Sequence, residues 1–176
     1  MRAIYKAVVL VVIFLIAGCT IKHDYIWVEY PITPERLNLH DSFDESKEIR
    51  IIKGDSDDSQ IFLGNVGAHH YFGSLQSLTD GIADQLEMEL AQRQLEINNT
   101  AEKSLEITVM WTKFERGMWK IAATLDFQVK FGNGKIKSYS VRNSSPATVD
   151  RTYNGAVALS VIEIINDWEV LAYINE

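Results

Sequence analysis

The sequence predicts an α+β fold, a two-layer sandwich with two helices on one face of a largely antiparallel four-stranded sheet, in the order β-α-β-β-β-α. Residues 104–131 alternate between apolar and polar side chains, which is typical of strands with one buried face. Residues 75–90 and 157–171 instead carry apolar side chains at helical spacing. Because the helices are segregated from the run of strands, a two-layer arrangement is favoured over a doubly wound sheet.

The first half of the predicted domain consists of one strand and one helix. Residues 47–53 alternate well enough for a strand, and the polar run 54–59 ends it with loop residues. A helix is predicted to begin around Ser74 and to end before Asn98-Asn99. Its buried stripe comprises Leu75, Leu78, Ile82, Leu86 and Leu90.

The second half is predicted to be a meander followed by a helix. Strands are expected over 104–114, 120–131 and 135–142, joined by turns at Arg116-Gly117 and at Gly132-Asn133-Gly134. Strict alternation along the first of these strands places Trp111 in the core and leaves the position of Trp119 open. The last helix is predicted to be capped by Asp150 or Thr152 and to run to about Tyr173.

The N-terminus has the pattern of a secretory signal. Residues 2–6 include the basic Arg2 and Lys6, residues 7–16 are an unbroken apolar run, and small residues follow. The apolar run is shorter than the roughly 20 residues that span a bilayer. We therefore expect residues 1–18 to be a signal peptide rather than a membrane span, with a plain signal anchor as the alternative.

The residues Leu15-Ile16-Ala17-Gly18-Cys19 resemble the lipobox of bacterial lipoproteins. This resemblance implies cleavage before Cys19, the only cysteine, and attachment of a diacylglycerol and further acyl chains such as palmitate. Two or more acyl chains give stable membrane anchoring, whereas one gives marginal binding. Thr20, rather than Asp, after the cysteine implies sorting to the outer membrane. The predicted location is the periplasmic face of that membrane, with the lipid on Cys19 as the anchor.

The rest of the chain is predicted to form one periplasmic domain over residues 47–176, preceded by an extended tether over residues 19–46. The 176 residues are 47% hydrophobic and 23% charged, which is ordinary for a globular domain. Cleavage removes Arg2 and Lys6, so the net charge changes from −7 to −9. This negative charge argues against nucleic acid or an anionic lipid surface as the main partner.

Motifs for catalysis or metal binding are not found. Counted from Asp55, the positions that require Gly and Glu in a calcium loop hold Gln60 and Val66. The neighbours His69 and His70 should point to opposite sides of an extended segment. There is also no Gly-x-Ser-x-Gly, His-Glu-x-x-His or phosphate-binding loop. We therefore predict a protein that is not an enzyme and has no catalytic, cofactor or metal site.

One apolar cluster stands out as a possible interaction surface. Phe114, Met118 and Trp119 flank the predicted hairpin turn and would form an exposed apolar knob. This favours a non-enzymatic accessory or assembly subunit of a cell-envelope complex, with an envelope protein as partner. The alternative is a periplasmic carrier of a lipid or glycan in a groove between sheet and helices.

The chain also resembles the YajG-like group of uncharacterised Gram-negative lipoproteins. Besides the lipobox, the residues that carry this resemblance are 55–64, the helix 75–93 with the strand start 105–109, and 155–159 at the beginning of the last helix. The resemblance implies a lipid-anchored envelope protein of the predicted fold. It implies no activity.

Overall fold

The computed structural model describes residues 20–33, 36–37 and 47–176. The predicted signal peptide and Cys19 lie outside these residues. The described part of the chain contains eight strands and three helices. The strands are β1 (Ile21–Asp24), β2 (Glu48–Lys53), β3 (Ile61–Val66), β4 (His69–Gly73), β5 (Glu96–Ile97), β6 (Ser104–Arg116), β7 (Ile121–Phe131) and β8 (Ile136–Ser145). The helices are α1 (Leu75–Gln92), α2 (Val149–Ile165) and α3 (Trp168–Asn175).

The larger sheet has five strands in the order β5-β2-β6-β7-β8. Its antiparallel β6-β7-β8 meander confirms the prediction for this part of the chain. β2, however, pairs in parallel with both β5 and β6, so the sheet is mixed. α1 packs on β2 and β6, and α2 packs on β7 and β8 and against α1. The inward side chains of β7, from Ile121 to Phe131, form the centre of the core.

A second sheet of three strands, here called the arm, has the order β1-β4-β3. β3 and β4 form a hairpin whose turn contains Gly67 at a φ of 60°. β1 pairs with β4 in parallel. The protein is α+β, but the predicted two-layer sandwich is wrong, because the described residues form two sheets and three helices rather than one four-stranded, largely antiparallel sheet and two helices.

The arm escaped prediction for local reasons. In β3 the register shifts between Phe62 and Gly64, so the strand lacks the alternation that reveals a half-buried strand. β1 is only four residues long and pairs with a strand about 48 residues away in sequence. Parallel strands are joined by a long connection rather than a tight turn, so the sequence contains no turn signal that would link β1 to β4.

The last helix was predicted as one element, but it is two. The chain leaves α2 at Asn166, and Asp167 caps α3 by accepting a hydrogen bond from the Glu169 backbone N–H at 2.9 Å. The same carboxylate contacts Lys137 Nζ at 2.6 Å and the Tyr139 hydroxyl at 2.7 Å. These contacts fix the break between the two helices against β8. No helix in the described residues has the length and apolar character of a membrane span.

A β-bulge in β6 reverses the faces of its second half. The register with β7 shifts between Val109 and Trp111, so Met110 is the extra residue. An odd insertion moves every following side chain to the other face of the sheet. Trp111 is consequently 48% exposed, and its predicted place in the core is wrong. Phe114 turns to the opposite side and packs against the core and Gly64.

The N-terminal segment packs on the domain. Tyr25 is buried, its hydroxyl donates to Asn154 Oδ1 at 2.8 Å, and its ring meets Tyr153 edge-on. Burial raises the pKa of Tyr25 above its ordinary range. Gln85 Nε2, from α1, donates to the Tyr30 carbonyl at 2.5 Å. Residues 20–33 of the predicted tether are thus held by both long helices.

We predict that Gly64→Ala destabilises the protein more than Gly67→Ala. Both glycines have positive φ, at 147° and 60°, so alanine strains the backbone at either position. A β-carbon at Gly64 would also lie 2.6 Å from the Phe114 ring, whereas none of the described atoms is within 4 Å of one at Gly67. Urea unfolding should show a loss of about 3 kcal/mol for Gly64→Ala and about 1 kcal/mol for Gly67→Ala. Equal losses would contradict the proposed contact with Phe114.

Candidate functional site

The β6–β7 hairpin presents two large apolar side chains to solvent. Its turn is closed by the Gly117 N–H, which donates to the Lys120 carbonyl at 2.8 Å. Between them, Met118 is 88% exposed and Trp119 is 83% exposed. A turn of this length leaves its two central side chains without core neighbours, so their exposure follows from the hairpin geometry.

Charged side chains border these two residues. Glu115 accepts hydrogen bonds from Lys113 Nζ and from Arg142 Nε, each at 3.1 Å. These bonds, first from Lys113 and then from Arg142, hold the pKa of Glu115 below its ordinary value. An open depression of about 510 Å³ lies between the charged residues and the turn. We call Lys113, Glu115, Met118, Trp119 and Arg142 the hairpin surface.

The hairpin surface continues onto the outer face of the large sheet. α1 and α2 cover the opposite face, and the bulge directs Trp111 outward, next to Asp126 on β7. Met110, the extra residue of the bulge, is also exposed. Apolar and polar groups therefore share this face, with serines of β8 beside Met110 in a shallow depression of about 410 Å³.

The structure separates the predicted surface residues. Met118 and Trp119 lie together at the turn, whereas Phe114 is half-buried against Gly64. Trp111, which was predicted to lie in the core, joins the exposed face together with Met110. A signal was present, since Val109-Met110-Trp111 is a run of three apolar residues within an alternating strand. Cys19, the predicted lipidation site, lies outside the described residues.

A groove of about 560 Å³ runs between the N-terminal segment and the beginning of α2. Polar and apolar groups line it in about equal measure, and its polar lining includes Glu29, Tyr30, Arg36, Asn143, Asp150, Arg151 and Asn154. The Oδ1 atom of Asp150 is buried and has no hydrogen-bond partner among the described residues. A buried oxygen of this kind favours a ligand or water that donates a hydrogen bond to it.

The arm brings two distant histidines together. His23 Nε2 lies 2.8 Å from His69 Nδ1, and the His23 ring also stacks on Tyr71. His70 points to the other side and contacts Phe62, which confirms the expectation that the neighbours His69 and His70 diverge. No group of three or more His, Cys, Asp or Glu side chains suited to a metal occurs within the described ranges. The pairing of His23 with His69 was missed because 46 residues separate them.

Comparison with known proteins gives little similarity. No protein-family model matches the chain, and no curated protein matches it. Among solved structures, lipoprotein GNA1162 from Neisseria meningitidis has a TM-score of 0.39 and 13% identity over 69% of this chain and 99% of that chain. A variant of PelC from Paraburkholderia phytofirmans, solved as a dodecamer, has a TM-score of 0.40 and 11% identity, over 77% of this chain and 93% of that one.

One of these two proteins is a lipoprotein, the class that the N-terminal sequence predicts here. The scores and identities are too low for the properties of either protein to be transferred to this chain.

We predict that Lys113→Gln raises the pKa of Glu115 toward its ordinary value, because the largest stabilisation of the carboxylate comes from Lys113. The folded-state pKa is depressed, so Glu115 stabilises the fold above its unfolded-state pKa. That contribution is lost as the pH falls through the folded-state pKa. Carboxyl ¹³C NMR titration measures this shift. Lys130→Gln is the matched control. It removes a similar ion pair, between Lys130 and Glu106, that does not involve Glu115, so the Glu115 titration should stay unchanged.

Proposed function

We propose that the chain is a lipid-anchored envelope lipoprotein that acts as a non-enzymatic accessory or assembly subunit of an envelope complex. The observation that carries this proposal is the exposure of Met118 and Trp119 on one tight turn. Exposed apolar groups of this size are typical of interaction sites. Tryptophan and methionine are also enriched at the centres of protein interfaces.

The surroundings of the turn suit a protein partner. Lys113, Glu115 and Arg142 form a polar border, and the ion pairs that join them orient their side chains. An apolar centre with a polar border is the usual organisation of a protein interface. The neighbouring outer face, with Trp111 and Met110, supplies further area for a partner larger than a peptide.

The proposed anchor is the acylated Cys19, and the proposed location is the periplasmic face of the outer membrane. This part of the proposal rests on the sequence Leu15–Cys19, the apolar run before it and Thr20 after it. Cleavage before Cys19 would leave the lipid at the N-terminus of the mature chain. The partner is then expected to be an envelope protein that is accessible from the membrane surface.

A second candidate function is the binding of a glycan in the groove beside α2. The unpaired Oδ1 of Asp150 favours it, because sugar hydroxyls donate hydrogen bonds to carboxylates. Asn143 and Asn154 line the same groove and offer amide groups. An acyl chain has no hydrogen-bond donor for the Asp150 oxygen. A glycan that co-purifies with the protein would favour this function over the subunit role.

We predict that Cys19→Ser releases the protein from the membrane, since the thioether lipid can no longer form. Fractionation of cell membranes measures the release, with Cys19→Ser expressed behind a secretory signal whose cleavage needs no cysteine, because the uncleaved apolar run 7–16 could itself hold the chain at the membrane. Tight membrane retention of Cys19→Ser would contradict the proposed lipid anchor. Retention of the unsubstituted chain through a carbonate wash is the control.

We predict that Met118→Ser with Trp119→Ser abolishes recovery of a stoichiometric protein partner when the lipidated protein is isolated in mild detergent. Loss of about 2 kcal/mol at an interface centre weakens binding about 30-fold. Trp168→Ser is the matched control, because Trp168 is 71% exposed on α3 and is outside the hairpin surface. Quantitative mass spectrometry of the eluate measures the partner. Equal recovery of the partner with both variants, or recovery of the unsubstituted protein without a partner, would contradict the proposal.

A further inference from the structure

We propose that the tip of the arm rests on the lipid bilayer that holds the acylated Cys19, so that the domain is fixed at the leaflet in one orientation. The arm tip is defined by Ile21, Lys22, Val66, Gly67, Ala68 and His69. This inference rests on the proposed lipid anchor and adds a second membrane contact, made by the folded domain itself.

The chain enters the domain at the arm tip. β1 begins at Ile21, which lies opposite His69, and the Ile21 N–H donates to the Ala68 carbonyl at 2.9 Å. Only Thr20 separates Ile21 from Cys19 in the sequence. Two residues span roughly 7 Å at full extension. This is about the thickness of one headgroup layer, so a lipid on Cys19 brings the arm tip to the membrane surface.

The side chains of the tip suit this environment. Ile21 is 47% exposed, Val66 is 36% exposed, and Ala68 is exposed in the turn. A β-carbon at Gly67 would face open space within the described structure, so the turn protrudes. Exposed aliphatic groups beside an acyl anchor add to membrane affinity through the apolar area that they bury.

The local charge also differs from that of the whole chain. The chain has 24 acidic and 17 basic residues, yet neither 20–23 nor 65–70 contains a carboxylate. Lys22 lies in this region, with its Nζ 5.7 Å from the centre of the Phe72 ring. Phe72 lies toward the base of the arm, opposite Asp24, and the flexible stem of a lysine allows its amine to turn from there toward lipid phosphates at the tip. The arm tip is therefore free of the repulsion that the acidic remainder would meet at an anionic surface.

The arm is attached firmly enough to transmit an orientation. The Tyr25 N–H donates to the Phe72 carbonyl at 2.6 Å, and the Tyr153 hydroxyl donates to the Leu63 carbonyl at 3.2 Å. The Phe114 ring lies against Gly64. Contacts with β6 and α2 thus hold the base of the arm, so a tip bound to lipid also orients the hairpin.

The test uses the full lipidated chain in vesicles of phosphatidylethanolamine and phosphatidylglycerol. Ala68→Cys and, as the matched control, Ile136→Cys are each labelled with the fluorophore NBD. Ile136 is exposed at the β7–β8 turn, the opposite end of the large sheet from the β6–β7 turn. Because Cys19 is acylated, the introduced thiol is the only one that reacts.

We expect NBD at position 68 to show a blue-shifted emission and to lose most of its intensity when headgroup spin-labelled lipid is included. NBD at position 136 should change little. Val66→Asp in the Ala68→Cys chain should reverse most of this quenching while the protein still floats with the vesicles, because a buried carboxylate is costly at the interface.

Three outcomes would count against the proposals, and they are distinguishable. If the protein floats with vesicles but position 68 behaves like position 136, the arm-tip contact is wrong and the anchor stands. A blue shift at position 68 without quenching by spin-labelled lipid means that protein, such as a second copy of the chain, covers the tip, which also overturns the inference. If the unsubstituted chain does not float, the proposed lipid anchor itself fails.

Discussion

The bulge at Met110 determines how the two sheets meet and which side chains remain outside. Beyond it, β6 turns Phe114 toward the arm and Trp111 toward solvent. Without the extra residue, alternation along β6 would point Trp111 to the core and Phe114 to solvent. The Phe114 ring would then no longer pack on the Gly64 backbone. The attachment of the arm and the exposure of the outer face thus have one common cause.

The N-terminal segment depends on a second constraint, the need to satisfy buried polar groups. A buried hydroxyl without a partner costs about 1–3 kcal/mol, and Asn154 removes that cost for Tyr25. The Tyr30 carbonyl does the same for the amide nitrogen of Gln85, a fully buried residue. These two bonds place residues close to the proposed lipid within the folded domain. With the proposed lipid on Cys19, the connection between lipid and core would be short, which would limit the positions that the surfaces of the domain can reach.

The two proposed contact regions differ in chemistry. The arm tip has aliphatic side chains and no carboxylate, as suits the headgroup region of a membrane. The hairpin surface has a tryptophan and a methionine bordered by paired charges, as suits a protein. The Phe114–Gly64 contact joins the arm to the hairpin, so the two proposed contact regions are linked through packed residues. Such coupling would present the hairpin to a partner at a defined angle to the leaflet.

The sequence by itself determined the elements whose signals are local, whereas tertiary structure alone decided the arm, the break before α3 and the faces of β6. The stripe from Leu75 to Leu90 predicted α1, and alternation over 104–131 predicted the meander with its exposed turn, because periodicity detects neighbours within a few positions. In contrast, β1 pairs with β4 in parallel, and no turn in the sequence links the two strands. The break after α2 lies at Asp167, whose carboxylate is bound by Lys137 and Tyr139 of β8. The bulge shows in the sequence only as the apolar run Val109-Met110-Trp111, which does not tell which of these residues is the extra one. A distant partner or a single inserted residue affects a strand only through its pairing with neighbouring strands. That pairing decides which side chains face the core and which face solvent.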